Sequence, residues 1–271
     1  MKTTSITMQT SLFMCVALAI AGCSGSTGGD ESGNVAPTAS VEAMAPAPDL
    51  ATLLASEFRP AADRERDEGR KPADVIAFLG IEPGMNVIDI YAATGYYTEV
   101  LSLAVGPDGH VASQNPAMLL QMRDGAIGTA LDERLDGRLL NVSRLDKELA
   151  DLSASDGPFD AAITALNLHD IHNSGGDDAG IGAMKVIYAT LKPGGVFGVI
   201  DHDGAAGNDN NKLHRMQKSD AIRLSEAAGF VVDGDSGLLH NHNDDMTQHV
   251  FAEGMRGNTN RFLLRLRKPA E

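Results

Sequence analysis

Val87-Ile88-Asp89-Ile90-Tyr91-Ala92-Ala93-Thr94-Gly95-Tyr96-Tyr97 sets the architecture of this chain. Its first four residues are a short, β-branched run that reads as a buried strand, and the apolar spacing from Tyr97 to Ala104 reads as a helix. Between them Gly95 permits a tight turn that would aim the helix N-terminus at a ligand. A plain strand-to-helix turn would need nothing more than that glycine.

The pattern then repeats along the chain. Strands are expected at 111–113, 139–142, 159–166, 196–201, 230–232 and 261–267, and helices at 117–133, 181–191 and 212–228. Lys192-Pro193-Gly194-Gly195 and Gly229 act as stops. Alternating strands and helices imply one α/β domain with a mostly parallel, seven-stranded sheet covered by helices on both faces. Ahead of it, 49–57 and 60–80 read as two capping helices, the second rich in Arg and Asp.

Ligands in such sheets sit beyond the carboxyl ends of the strands. Besides the loop after Ile90, two segments place polar groups there: Asn167-Leu168-His169-Asp170-Ile171-His172 and Asp201-His202-Asp203. The candidate catalytic residues are His169, Asp170 and His202, for acid–base work or substrate hydrogen bonding. Structural hydrogen bonding by the same groups stays open. A metal-dependent hydrolase using His169, His172 and His202 is a further alternative, although the adopted reading assigns no metal. His240-Asn241-His242-Asn243-Asp244-Asp245 is rich in ligand types but reads as a solvated loop. Arg66 and Arg70 either reach an anionic substrate or pair with Asp63 and Asp67.

At the other end, Leu18-Ala19-Ile20-Ala21-Gly22-Cys23 is a lipobox closing a short apolar run that follows Lys2. Residues 1–22 are expected to be a lipoprotein signal peptide. Cys23 with a Gly-, Ser-, Ala- and Pro-rich disordered tether through 48 would follow it, and the domain would span 49–271. Lipid on Cys23 would hold the protein in the cell envelope, with Ser24 favouring the outer membrane. Cys15 leaves with the signal, so the folded domain has no thiol. The formal net charge of −15 leaves no basic stripe for nucleic acid.

The sequence resembles a family of predicted class I S-adenosylmethionine (SAM)-dependent methyltransferases, several of whose members carry export signals. The likeness runs from about Pro60 to Pro269 through Arg70-Lys71-Pro72, the loop ending Gly95-Tyr96-Tyr97-Thr98-Glu99, Asn167-Leu168-His169-Asp170 and Leu191-Lys192-Pro193-Gly194-Gly195. It continues through Asp201-His202, Leu213-His214-Arg215, Ala228-Gly229-Phe230 and Thr259-Asn260-Arg261-Phe262. It implies a Rossmann-like class I methyltransferase fold and methyl transfer from SAM to a small acceptor. Implied cofactor residues are Asp89, Tyr91, Ala93, Gly95, Tyr96, Gln114, Asn115 and Asn167. Tyr91 and Ala93 stand where that family of folds has glycines, and Gln114-Asn115 where it has an acidic ribose acceptor. Those departures leave open an exported, non-catalytic binding module on the same fold.

Overall fold

The computed structural model describes residues 49–271; the lipobox, Cys23 and the tether lie outside the described residues. The strands are β1 (Asn86–Ile90), β2 (His110–Gln114), β3 (Val142–Leu145), β4 (Phe159–Ala165), β5 (Leu191–His202), β6 (Val231–Ser236) and β7 (Arg261–Arg267). They form one sheet in the order β3-β2-β1-β4-β5-β7-β6. Pairing is parallel from β3 to β5, and β7 runs antiparallel to both β5 and β6. The order reverses between β1 and β4, which opens a crevice beyond their carboxyl ends.

Both faces of the central strands are buried because helices cover both. The helices are α1 (Leu50–Leu54), α2 (Ala61–Arg70), α3 (Pro72–Leu79), α4 (Tyr96–Val105), α5 (Ala117–Gln121), α6 (Ala126–Leu135), α7 (Leu168–Thr190) and α8 (Lys218–Ala227). On one face Val75 and Leu79 of α3 and Val100 and Leu101 of α4 share a core with Val87, Ile163 and Leu263. On the other, Met184 and Ile187 of α7 and Leu224 of α8 pack with Ile88, Ile90, Phe197 and Leu264.

Several boundaries differ from the periodicity. The expected 60–80 helix is two helices, because Pro72 lacks an N–H and the chain turns left-handed at Lys71 (φ 44°). The expected 117–133 helix likewise breaks at Arg123, Asp124 and Gly125, all at positive φ. Edge strand β3 lies at Val142–Leu145 rather than 139–142. Helix α7 starts at Leu168, well before Ile181, and kinks at Gly176 (φ 65°); its glycine-rich first half hides the helical period. Helix α8 begins at Lys218, and 212–217 is a loop drawn inward by Arg215.

Candidate functional site

The loop after β1 keeps a glycine-like backbone without the glycines. Tyr91 has φ 56° and Ala93 φ 51°, a region that favours glycine, and Gly95 has φ 82°. Two amides from the end of β2 hold this shape. Gln114 Oε1 accepts from Tyr91 N at 3.1 Å, and Asn115 Oδ1 accepts from Ala93 N at 2.7 Å. The Gln114 amide nitrogen donates to Lys147 O at 2.7 Å, so that side chain is used by the protein on both ends. Asn115 Nδ2 is buried with no partner.

The structure turns three other residues of the expected cofactor set to internal work. Asp89 lies under α4, 3% exposed, accepting from Thr98 Oγ1 at 2.7 Å, and burial pushes its carboxyl up to about 7. Gly95 packs against α6: a Cβ there would meet Leu131 and Arg134 side chains at 2.9 Å. Tyr96 is buried beneath α2, donating its hydroxyl to Asp67 at 2.6 Å with the Arg70 guanidinium over its ring. Asn167 caps the end of β4 through Ala165 O at 2.9 Å, and its amide lies 3.5 Å from Tyr91 O.

Next to this loop, beyond β4, β5 and the start of β7, lies a cleft of about 760 Å³. The three candidate catalytic residues His169, Asp170 and His202 line it, and α2 contributes Arg66 and Arg70 to the opposite wall. None of Tyr91, Ala93, Gln114 or Asn115 lines that cleft, so the expected site divides into a loop and a neighbouring chamber. His169 is fixed by Asp201, whose carboxylate takes both its backbone N–H (2.8 Å) and its Nδ1 (2.7 Å). Burial opposes a charge on His169, yet the Asp201 and Asp170 carboxylates prevail and hold its pKa up at about 10. A group that keeps its proton at neutral pH donates hydrogen bonds and does not act as a base. His202, pushed down to about 3 by burial, is neutral, with Nδ1 2.7 Å from Thr259 Oγ1.

His172 leaves this group: it faces Asp177, 3.1 Å away, on the exposed side of α7. Its place beside His169 is taken by His214, whose ring centroid lies 5.8 Å from that of His169. Sequence periodicity assigned His214 and Arg215 to a helix and gave no sign of this. Arg215 is fully buried and pairs with Asp244 at 2.8 Å, so one residue of the 240–245 loop is drawn into the interior while His240, His242, Asn243 and Asp245 stay exposed, as its composition led one to expect. Arg66 pairs with Asp63 at 3.0 Å. Arg70 and Arg261, both lining the cleft, take part in no ion pair among the described residues; Arg261 donates only to backbone carbonyls such as Gly69 O. Burial lowers the pKa of both guanidinium groups.

No family model matches the chain. It is 30% identical over 163 residues to the ubiquinone/menaquinone biosynthesis C-methyltransferase UbiE of Pseudomonas aeruginosa, covering 59% of this chain and 57% of that protein. It is 21% identical over 128 residues to the demethylmenaquinone methyltransferase of Listeria monocytogenes, covering 47% of this chain and 49% of that protein. The chain thus spans about half the length of the curated relatives it matches. Among solved structures, a SAM-dependent methyltransferase from Aquifex aeolicus superposes with TM-score 0.54 at 18% identity, over 78% of this chain and all of that one. A SAM-dependent O-methyltransferase from Thermotoga maritima gives 0.51 at 14%, over 78% and 72%. The chain therefore has the Rossmann-like fold of the class I SAM-dependent methyltransferases.

Proposed function

We propose that this protein transfers a methyl group from SAM to a small anionic acceptor. The observation that carries the reading is the loop after β1, which holds Tyr91 and Ala93 in a strained, glycine-like backbone at the point where strand order reverses. The residues fit the cofactor in one further respect: Asn115 Nδ2, buried and unpartnered, is a donor awaiting an acceptor at the end of β2. Tyr91, Ala93, Asn115 and Asn167 would hold SAM, and when bound it supplies an electrophilic methyl group.

The chain's own residues then have to bring an acceptor to that loop and exclude water. Arg70 and Arg261 bring positive charge to the cleft with no ion-pair partner among the described residues, although Glu65, Glu68 and Asp170 line the same cleft and the whole chain has a formal charge of −15. A carboxylate or phosphate on the acceptor would supply the missing partner and exploit the guanidinium fork. His169, protonated and clamped by Asp201, orients the acceptor through Nε2, and Asp170 borders the same space. His202 contributes a neutral ring beside it.

Isothermal titration of the full chain with SAM and S-adenosylhomocysteine, followed by labelled methyl transfer to a panel of small carboxylates and phosphates, tests both halves. Heat of binding and labelled product are expected, and the Arg70→Met variant should show a roughly tenfold higher acceptor KM with SAM affinity unchanged. Absence of heat at millimolar ligand overturns the reading. The envelope location belongs to the same proposal, supported by Leu18–Cys23. Fatty-acid labelling should vanish, and the protein should leave the membrane fraction, when Cys23 becomes Ser.

A further inference from the structure

We infer that His169, Asp170 and His214 form a binding site for a divalent first-row transition metal ion at the edge of the cleft, zinc being the best match. Their ligand atoms, one per residue, lie within 4.8 Å of one another. Asp170 Oδ1 is the hub, 3.2 Å from His169 Nε2 and 3.1 Å from His214 Nδ1. Ligands about 2.0–2.1 Å from a tetrahedral ion stand roughly 3.3 Å apart, so both separations suit a shared ion with small adjustments.

Three features favour ligation over hydrogen bonding among the three. First, His214 Nδ1 is buried and lacks hydrogen-bond alignment with any group, Asp170 included, which is costly for a nitrogen that serves no ligand. Second, Asp201 takes the far nitrogen of His169 at 2.7 Å, the carboxylate–imidazole arrangement that fixes a metal-binding histidine by its other ring atom. Asp201 is itself fully buried and also receives the His169 backbone N–H, so the ring has little freedom to turn away. Third, two imidazoles and one carboxylate are a ligand set used at catalytic zinc sites, where a fourth position stays open to water or substrate. His169 and Asp170 also line the cleft, so an ion held by these residues would lie at its edge. His249 packs against His214 with ring centroids 4.8 Å apart, but its Nδ1 accepts from Phe251 N, so its other nitrogen carries the proton and does not ligate. The inference stands independently of methyl transfer, since it uses no feature of the loop after β1. With an ion bound, His169 ligates through Nε2 and no longer donates a proton there, so the ion replaces that N–H as the group that orients an acceptor oxygen.

The full chain, purified without chelator and dialysed against zinc or cobalt(II), tests the site. One equivalent per chain is expected, and cobalt should show the intense visible bands of a four-coordinate ion. His214→Ala and Asp170→Ala, both at partly exposed positions, should weaken binding roughly a hundredfold while their circular-dichroism melts stay close to the parent's. His172→Ala and a His240→Ala/His242→Ala double variant should bind as the parent does. Substoichiometric metal in the parent, undiminished binding in the His214 and Asp170 variants, or loss in the His240/His242 variant would each overturn the assignment.

Discussion

Asp89 is a carboxyl that the fold keeps away from water, and its chemistry is measurable. With its folded pKa raised to about 7 from an ordinary 3.8, the native state holds a proton that the unfolded chain releases across that interval. Stability from this group is therefore fully present below about pH 4 and lost as pH rises through about 7, at about 1.4 kcal/mol per pKa unit. Urea unfolding between pH 4 and 8 should show the parent losing a few kcal/mol relative to Asp89→Asn, whose amide does not titrate. Ala93 makes a second residue-scale case. At φ 51° a Cβ is strained, so Ala93→Gly should raise the unfolding free energy by about 1 kcal/mol. A fall in stability would show that the loop is not strained as its backbone angles indicate.

Among the elements, α6 is tied to the start of α4 by one side chain. Arg134 donates to Thr94 O at 2.6 Å, pairs with Asp63 at 2.6 Å, and also binds Glu99, which is 2% exposed. Truncating it removes one of two cationic partners from each of two buried carboxylates, since Asp63 keeps Arg66 at 3.0 Å and Glu99 keeps Arg138 at 2.7 Å. Arg134→Ala should thus cost about 2–3 kcal/mol in chemical denaturation, above the roughly 1 kcal/mol of an exposed pair but below the cost of leaving a buried charge unpaired. Gly95→Ala should also destabilise, by about 1–3 kcal/mol, because its Cβ would strike Leu131 and Arg134 whether or not a ligand is bound. Strands β1, β4 and β7 were legible within a residue or so, since apolar runs bounded by turn residues report burial directly. The first half of α7 was not: His172 to Gly180 has too few apolar residues to show a period, and the helix there is held by tertiary bonds to Asp201 and Arg223.

Across the whole molecule, the roof of the cleft depends on a pair that joins distant loops. Arg215 and Asp244 are both buried, and Asp244 also accepts from Asn260 N, while Arg215 donates to Asp203 O and Gln248 O. Asp244→Ala should lower stability by about 3–5 kcal/mol, because it leaves Arg215 charged and unpaired in the interior. A loss under 1 kcal/mol in thermal and urea melts would show that water reaches the guanidinium. The sequence alone determined the alternation of strand and helix, the mostly parallel sheet, and the placing of His169, Asp170 and His202 at or just beyond strand ends. Those features rest on periodicity and turn chemistry, which are written in neighbouring residues. Only the tertiary structure decided that His214 rather than His172 joins His169, that Asp244 answers Arg215, that Tyr96 lies under α2, and that Arg70 is left without a carboxylate. Each of those outcomes depends on which loops the crossovers bring together, and desolvation and charge then select partners that no local pattern specifies.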